Sequence, residues 1–185
     1  MMSEADIVQT VARVRGGEAD AWGVLYQELA PSVFRLCRRA LPTRQDAEDA
    51  TAEIFMKARL RLTQYDSERP FRPWLYSLAA NHCWDELRRR RRQRETAGDL
   101  DALSAESPEP GPLTQLLAEQ DRRDVRSALA RLSDRDRLAV VMRYYAELSY
   151  EEIAEVLGVT SSLVGVLLLR ARRRLRGMLD KEGRA

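Results

Sequence analysis

The chain has 185 residues, 32% of them charged, and a formal net charge of +2. That length holds one domain or two small ones, and a charge so nearly balanced says little about partners until its distribution is read. Two cysteines, Cys37 and Cys83, exclude a disulfide framework and fit a reducing compartment. No apolar run approaches a membrane span, and the amino terminus lacks the basic start and apolar stretch of a secretion signal, so a cytoplasmic location without membrane insertion is expected.

The charge is segregated. Basic residues gather at Arg88 to Arg94 and Arg170 to Arg176, and acidic ones at Asp46 to Glu53, Asp99 to Glu109 and Glu147 to Glu155. One surface can then hold a nucleic acid while another meets a basic protein.

In chain order, Asp6 to Arg15 reads as a short helix with Ile7, Val8, Val11 and Val14 apolar, ended by Gly16 and Gly17. Glu18 to Ala40 is a longer helical stretch that Pro31 is expected to kink or restart. Thr43 with Asp46 forms an N-cap. The helix that follows, DAEDATAEIFMKARLRL, buries Ala47, Ala50, Ile54, Phe55, Ala58 and Leu62 and leaves Asp46, Glu48, Asp49 and Glu53 outward. Acidic residues at a helix start suit its dipole, which accounts for part of their placement. A polar loop, Gln64 to Pro70, leads to FRPWLYSLAANHCWDELRRRRRQR, a helix running to about Arg94. Its aromatics and arginines are suited to stacking on splayed bases and holding phosphates, although core packing alone explains Trp74. Thr96 to Pro112 is acidic, carries three prolines and has no apolar period, so it reads as a flexible linker.

The second domain starts near Leu113. Leu116, Leu117, Val125, Leu129 and Leu132 mark one helix, and Ser133 with Asp136 caps another. LSYEEIAEVLGVTSSLVGVLLLRARRRLR follows. Ser149 and Glu152 have the spacing of a capping box, Gly158 sits where a left-handed C-cap is needed, and Thr160, Ser161 and Ser162 offer hydroxyls for a second N-cap. Val164, Leu168, Ala171 and Leu175 then share one face. Helix, glycine turn, helix and an arginine run together read as a DNA-binding helix-turn-helix, against the plainer alternative of an αα-hairpin. The whole chain therefore reads as all-α, with residues 1–95 and 113–185 as two small helical domains joined by a linker at 96–112.

Metal and enzyme chemistry find little support. His82 and Cys83 are adjacent on a helix and point about 100° apart, so with Cys37 and Asp85 they make no natural chelate. The sequence has no phosphate-cradling glycine loop and no nucleophile elbow. No catalytic residue, metal or cofactor is expected.

DAEDATAEIFMKA, FRPWLYSLAANHCWDELRRRRR and ALARLSDRDRLAVVMRYYAELSYEEIAEVLGVTSSLVGVLLLRARRRLR, in this order and around this linker, resemble a bacterial sigma factor of the small extracytoplasmic-function (ECF) type. The resemblance implies a subunit that binds core RNA polymerase and directs it to promoters. It implies that Asp46, Glu48, Asp49 and Glu53 dock on the clamp helices of the β′ subunit, and that region four meets the β flap. The loop Gln64 to Pro70 with Tyr65, and the following helix with Asn81, Asp85, Arg88, Arg89 and Arg91, would read the minus-ten element, where a flipped base enters a pocket made by the loop. Thr160, Ser161, Ser162, Arg170 and Arg173 would meet the minus-thirty-five element. A possible further partner is an anti-sigma factor. The domains are expected to pack together in the free chain and to separate on polymerase.

The recognition helix departs from the family pattern. Val164, Gly165, Val166 and Leu167 stand where the family commonly has a valine, a lysine, a serine and an arginine, so the usual polar readers are missing. Val166 and Leu169 are expected to point away from the core. Three readings remain: contacts to thymine methyl groups, a protein-binding face, or relaxed sequence reading with phosphate contacts kept. At the level of the whole chain, the alternatives are a stand-alone helix-turn-helix regulator and a sigma-like protein-interaction module.

Overall fold

The computed structural model describes residues 2–97 and 125–182, all of it helix, turn and loop. The expected linker, except its first two residues, and the expected start of the second domain lie outside the described residues. Seven α-helices are named here: α1 (Glu4–Arg15), α2 (Ala19–Ala40), α3 (Arg44–Leu60), α4 (Phe71–Ala97), α5 (Asp134–Tyr144), α6 (Tyr150–Leu157) and α7 (Ser161–Glu182), with a 3-10 turn at Leu62–Gln64. Residues 125–130 are also helical. None of these helices alone is long and apolar enough to cross a membrane.

The helix starts are set by local chemistry. Ser3 with Asp6, Thr43 with Asp46 and Ser149 with Glu152 each form a complete capping box, in which side chain and backbone exchange hydrogen bonds. Ser133 accepts from the Asp136 amide, but the Asp136 carboxylate turns inward instead of closing the box. Gly158 sits at φ +62°, the left-handed cap that the turn between α6 and α7 requires. α4 runs two residues past the expected domain boundary.

Pro31 does not break α2. Leu25, Leu29, Val33 and Leu36 are buried on both sides of it, and Pro31 itself is exposed. A continuous apolar stripe held against one core outweighs the backbone hydrogen bond that proline removes.

Helices α1 to α4 pack as one bundle around Ile7, Leu25, Leu29, Ile54, Phe71 and Leu75, all essentially inaccessible. Helices α5, α6 and α7 pack around Leu138, Met142, Leu148, Ile153 and Leu168. The two bodies touch: α5 lies against α2 and α4, and α6 against α4. Arg39 stacks 3.9 Å from the Tyr145 ring centre, and Arg135 lies 5.6 Å from that of Trp84. Buried Arg137 is within electrostatic reach of Cys83 across the same boundary.

Candidate nucleic-acid interface

Three exposed ridges are built by helical spacing. The first runs along α3. Asp49, Glu53, Met56 and Leu60 are separated by four, three and four residues and are all exposed, with Glu48 beside them. Asp49 accepts from the Gln45 amide at 2.9 Å, and Glu48 pairs with Arg44 at 2.8 Å. Glu53 lies 3.9 Å from Lys57 and 3.8 Å from the His82 ring. Pairs this exposed are weak and free to re-form with a partner. Met56 and Leu60, at 67% and 78% exposure, extend the ridge with apolar side chains. Sequence reading missed both, though their spacing from Glu53 marks them.

Asp46 differs from its expected outward placement. Its carboxylate closes the Thr43 capping box and pairs with Arg90 of α4. Burial pushes this carboxyl up, but the bonds from Thr43 and Arg90 outweigh it and hold it below the usual range. Asp46 thus ties α3 to α4.

The second ridge lies on α4. Asn81, Asp85, Arg88 and Arg92 are exposed at spacings of four, three and four. The Asn81 amide donates to the Ser77 carbonyl at 3.0 Å, leaving its oxygen outward. Arg89 and Arg91 flank the ridge and pair with Glu86 and Glu95, each at 2.8 Å. Arg92 continues the spacing of Asn81, Asp85 and Arg88.

The loop before α4 is shaped from within. Tyr65 is 3% exposed, and its ring packs 5.1 Å from Phe71 and 5.2 Å from Trp74. Its hydroxyl donates to the Arg69 carbonyl, closing the loop on itself. Arg15 reaches from α1 to donate to the carbonyls of Leu62 and Tyr65. Tyr65 therefore sits beneath the loop and not on its surface. An aromatic ring beside Phe71 and Trp74 is better placed in the core, where it fixes the path of residues 66–70. Between that loop and α1 lies an open cleft of about 510 Å³, lined by Glu4, Val8, Gln9 and residues 67–70 among others.

The third ridge belongs to α7. Thr160 caps the helix, its hydroxyl accepting from the Leu163 amide at 3.3 Å. Val164, Leu167, Leu168 and Ala171 are buried against α5 and α6. The opposite side presents Ser162, Val166, Leu169 and Arg173, all exposed, with Ser161 partly covered. Arg172 and Arg176 are exposed beside them, without an ion pair among the described residues. Arg170, though exposed, also makes an inward contact. It grips Asp136 with two hydrogen bonds of 3.1 and 2.5 Å, and Arg174 lies 3.6 Å from the same carboxylate. Asp136 is fully buried. The two arginines therefore neutralise a carboxylate that would otherwise be costly to bury, and lock α7 onto α5.

Cys37 and Cys83 are reduced, fully buried and 3.8 Å apart between α2 and α4. The hydrogen bond that Cys83 donates to Cys37 and its burial together push the Cys83 thiol well up. Among the described residues, no group of histidine, cysteine and acidic side chains is arranged to hold a metal ion.

A four-helix body with one acidic and one basic ridge, followed by a helix-turn-helix with a basic helix end, defines a factor built to bridge a protein and promoter DNA. Residues 25–93 match the family model for sigma-70 region 2, and residues 122–175 that for sigma-70 region 4. The chain is 31% identical over 170 residues to the ECF RNA polymerase sigma-E factor of Escherichia coli, covering 88% of each. It is 30% identical to the ECF RNA polymerase sigma factor BldN of Streptomyces coelicolor, covering 97% of this chain and 68% of that protein. In fold it is similar to the sigma factor RpoE of Bartonella quintana, solved with the anti-sigma factor NepR, with a TM-score of 0.65, 25% identity and coverage of 84% and 96%. The chain belongs to the ECF sigma factors of bacterial RNA polymerase. It binds the polymerase and directs promoter-specific initiation of transcription.

Proposed function

We propose that the α3 ridge of Glu48, Asp49 and Glu53, extended by Met56 and Leu60, docks on the β′ clamp helices of core polymerase, with Asp46 serving mainly to brace it. The carrying observation is the ridge itself: four exposed side chains in register, acidic at one end and apolar at the other, on a helix whose other face is core. A stand-alone regulator of duplex DNA would leave that ridge without a role. The α4 ridge of Asn81, Asp85, Arg88 and Arg92, with Arg89 and Arg91, faces the minus-ten element. The cleft beside residues 67–70 receives an extruded base, and Tyr65 holds the loop that forms it. Extrusion costs a few kcal/mol, which pocket contacts offset. Residues 160–173 of the second body, chiefly Thr160, Ser161, Ser162 and Arg173, face the minus-thirty-five element, and this body also meets the β flap.

Residues 1–95 and 113–185 act as two domains on the linker at 96–112, closed on each other in the free chain and drawn apart on polymerase. The chain works in the cytoplasm, performs no chemistry of its own, needs no cofactor or metal, and melts DNA with binding free energy. Control by an anti-sigma factor is supported by the similar RpoE, which was solved with one.

The test is a titration of fluorescently labelled chain with core polymerase. Asp49→Arg and Glu53→Arg should each weaken binding at least tenfold without changing the thermal melt. Unchanged affinity in both would move the docking face elsewhere.

A further inference from the structure

We propose that Val166 and Leu169 read the 5-methyl groups of thymine in the major groove, so that this chain selects its upstream element by apolar contact. The proposal rests on α7 being the helix that enters the minus-thirty-five element.

Leu167, the other apolar residue at the variant positions, is 3% exposed and belongs to the core. What α7 offers outward around these positions includes Ser162, Leu163, Val166, Leu169 and Arg173, with Val166 at 55%, Leu169 at 44% and Leu163 at 39% exposure. Neither Val166 nor Leu169 can donate or accept a hydrogen bond through its side chain. On a major-groove edge the thymine methyl is the apolar group they can cover. Set against the N7 and O6 of guanine or the N4 of cytosine, the same side chains would strip water from polar atoms and return nothing. Attraction to thymine and rejection of G·C pairs thus come from the same two residues.

The surroundings favour DNA over a protein occupant. The apolar strip, which Leu163 extends, lies within a turn or two of Ser162, Arg172, Arg173 and Arg176, all exposed. Protein-docking patches are depleted of charge at their centre, whereas hydroxyls and cations around an apolar strip complement a polyanionic backbone. Gly165 fits the same reading. A Cβ there would meet only the Tyr150 ring at 3.7 Å, an ordinary contact, so nothing among the described residues requires glycine. A missing side chain beside Val166 lets the duplex approach the helix closely.

The experiment uses holoenzyme assembled from core polymerase and the full chain, on a promoter located by mapping transcript starts. Thymines of its upstream element are replaced by deoxyuridine, which keeps O4 and base pairing and loses only the methyl. Burying one such group is worth about a fourfold change in affinity. Holoenzyme binding should fall about fourfold for each methyl removed beneath α7, and not at all for replacements in the spacer. Val166→Ser and Leu169→Ser, both at exposed positions, should fold normally and each abolish the distinction at one base step. 5-Methylcytosine in place of cytosine should recover part of the binding at those steps. Equal binding to thymine and uracil templates, with initiation intact, would overturn the methyl reading and leave the sigma factor reading standing. Serine variants that keep promoter choice but lose a protein partner would overturn it in favour of a docking face. No specific initiation from any fragment would overturn both readings together.

Discussion

The two arginine runs look alike in sequence and are organised differently in space. In Arg88 to Arg92, Arg90 is turned inward, where it joins Asp46 and Glu86 and so couples α4 to α3. Arg88 and Arg92 stay outward on the ridge. In Arg170 to Arg176, Arg170 and Arg174, although themselves exposed, converge on the buried Asp136, while Arg172, Arg173 and Arg176 make no ion pair among the described residues. Each run therefore divides into members that hold helices together and members left for a polyanion. A run of like charges is not a uniform patch, since a carboxylate buried nearby draws some of it inward.

Substitutions can break this division. The largest effect is expected from Asp136→Ala, which removes the carboxylate beneath α7 and should cost about 3 kcal/mol, read as a lower urea midpoint for the second body. Arg90→Ala should follow at about 2 kcal/mol, because two partly buried charge-assisted bonds are lost, with the salt dependence of DNA binding unchanged. Arg173→Ala should do the opposite: stability within about 0.5 kcal/mol of the parent, weaker promoter binding, and a slope of log K against log salt reduced by about 1. If Arg90 and Arg173 behave alike in both assays, the division does not exist.

Two smaller effects sharpen it. Gly165→Ala should stabilise the chain by up to about 1 kcal/mol, because its Cβ has room, while weakening promoter binding. His82 adds a pH dependence confined to the first body. Burial, reinforced by the Lys57 ammonium and opposed by Glu53, lowers its pKa from the ordinary value near 6.5. The unfolded chain then takes up this proton first, so stability falls as pH drops below about 6.5. A urea midpoint lower at pH 5.5 than at 7.5, with a smaller difference in His82→Gln, is the expected result.

Much of the fold was legible in sequence because caps and apolar spacing are local signals. Thr43 and Ser149 start helices as their motifs require, and Gly158 takes the left-handed turn its position predicts. What sequence could not supply was long-range pairing. Nothing in the Ser133 cap shows that Asp136 turns inward to meet Arg170, 34 residues away. Nothing in the polar loop shows that Tyr65 is packed between Phe71 and Trp74 or that Arg15 grips its backbone. The outward ridges stand between these cases: the periodicity that marked the acidic end of α3 also reaches Met56 and Leu60, but exposed apolar residues are easily taken for core.

The most direct test of the central claim is reconstituted initiation. The full chain and core polymerase are incubated with a genomic fragment library, and the 5′ ends of new transcripts are sequenced. The account predicts starts that share one upstream element, rich in thymine at the steps read by Val166 and Leu169, and that disappear with Asp49→Arg. Duplex DNA retained by the chain alone, with no polymerase bound and no specific starts, would contradict it.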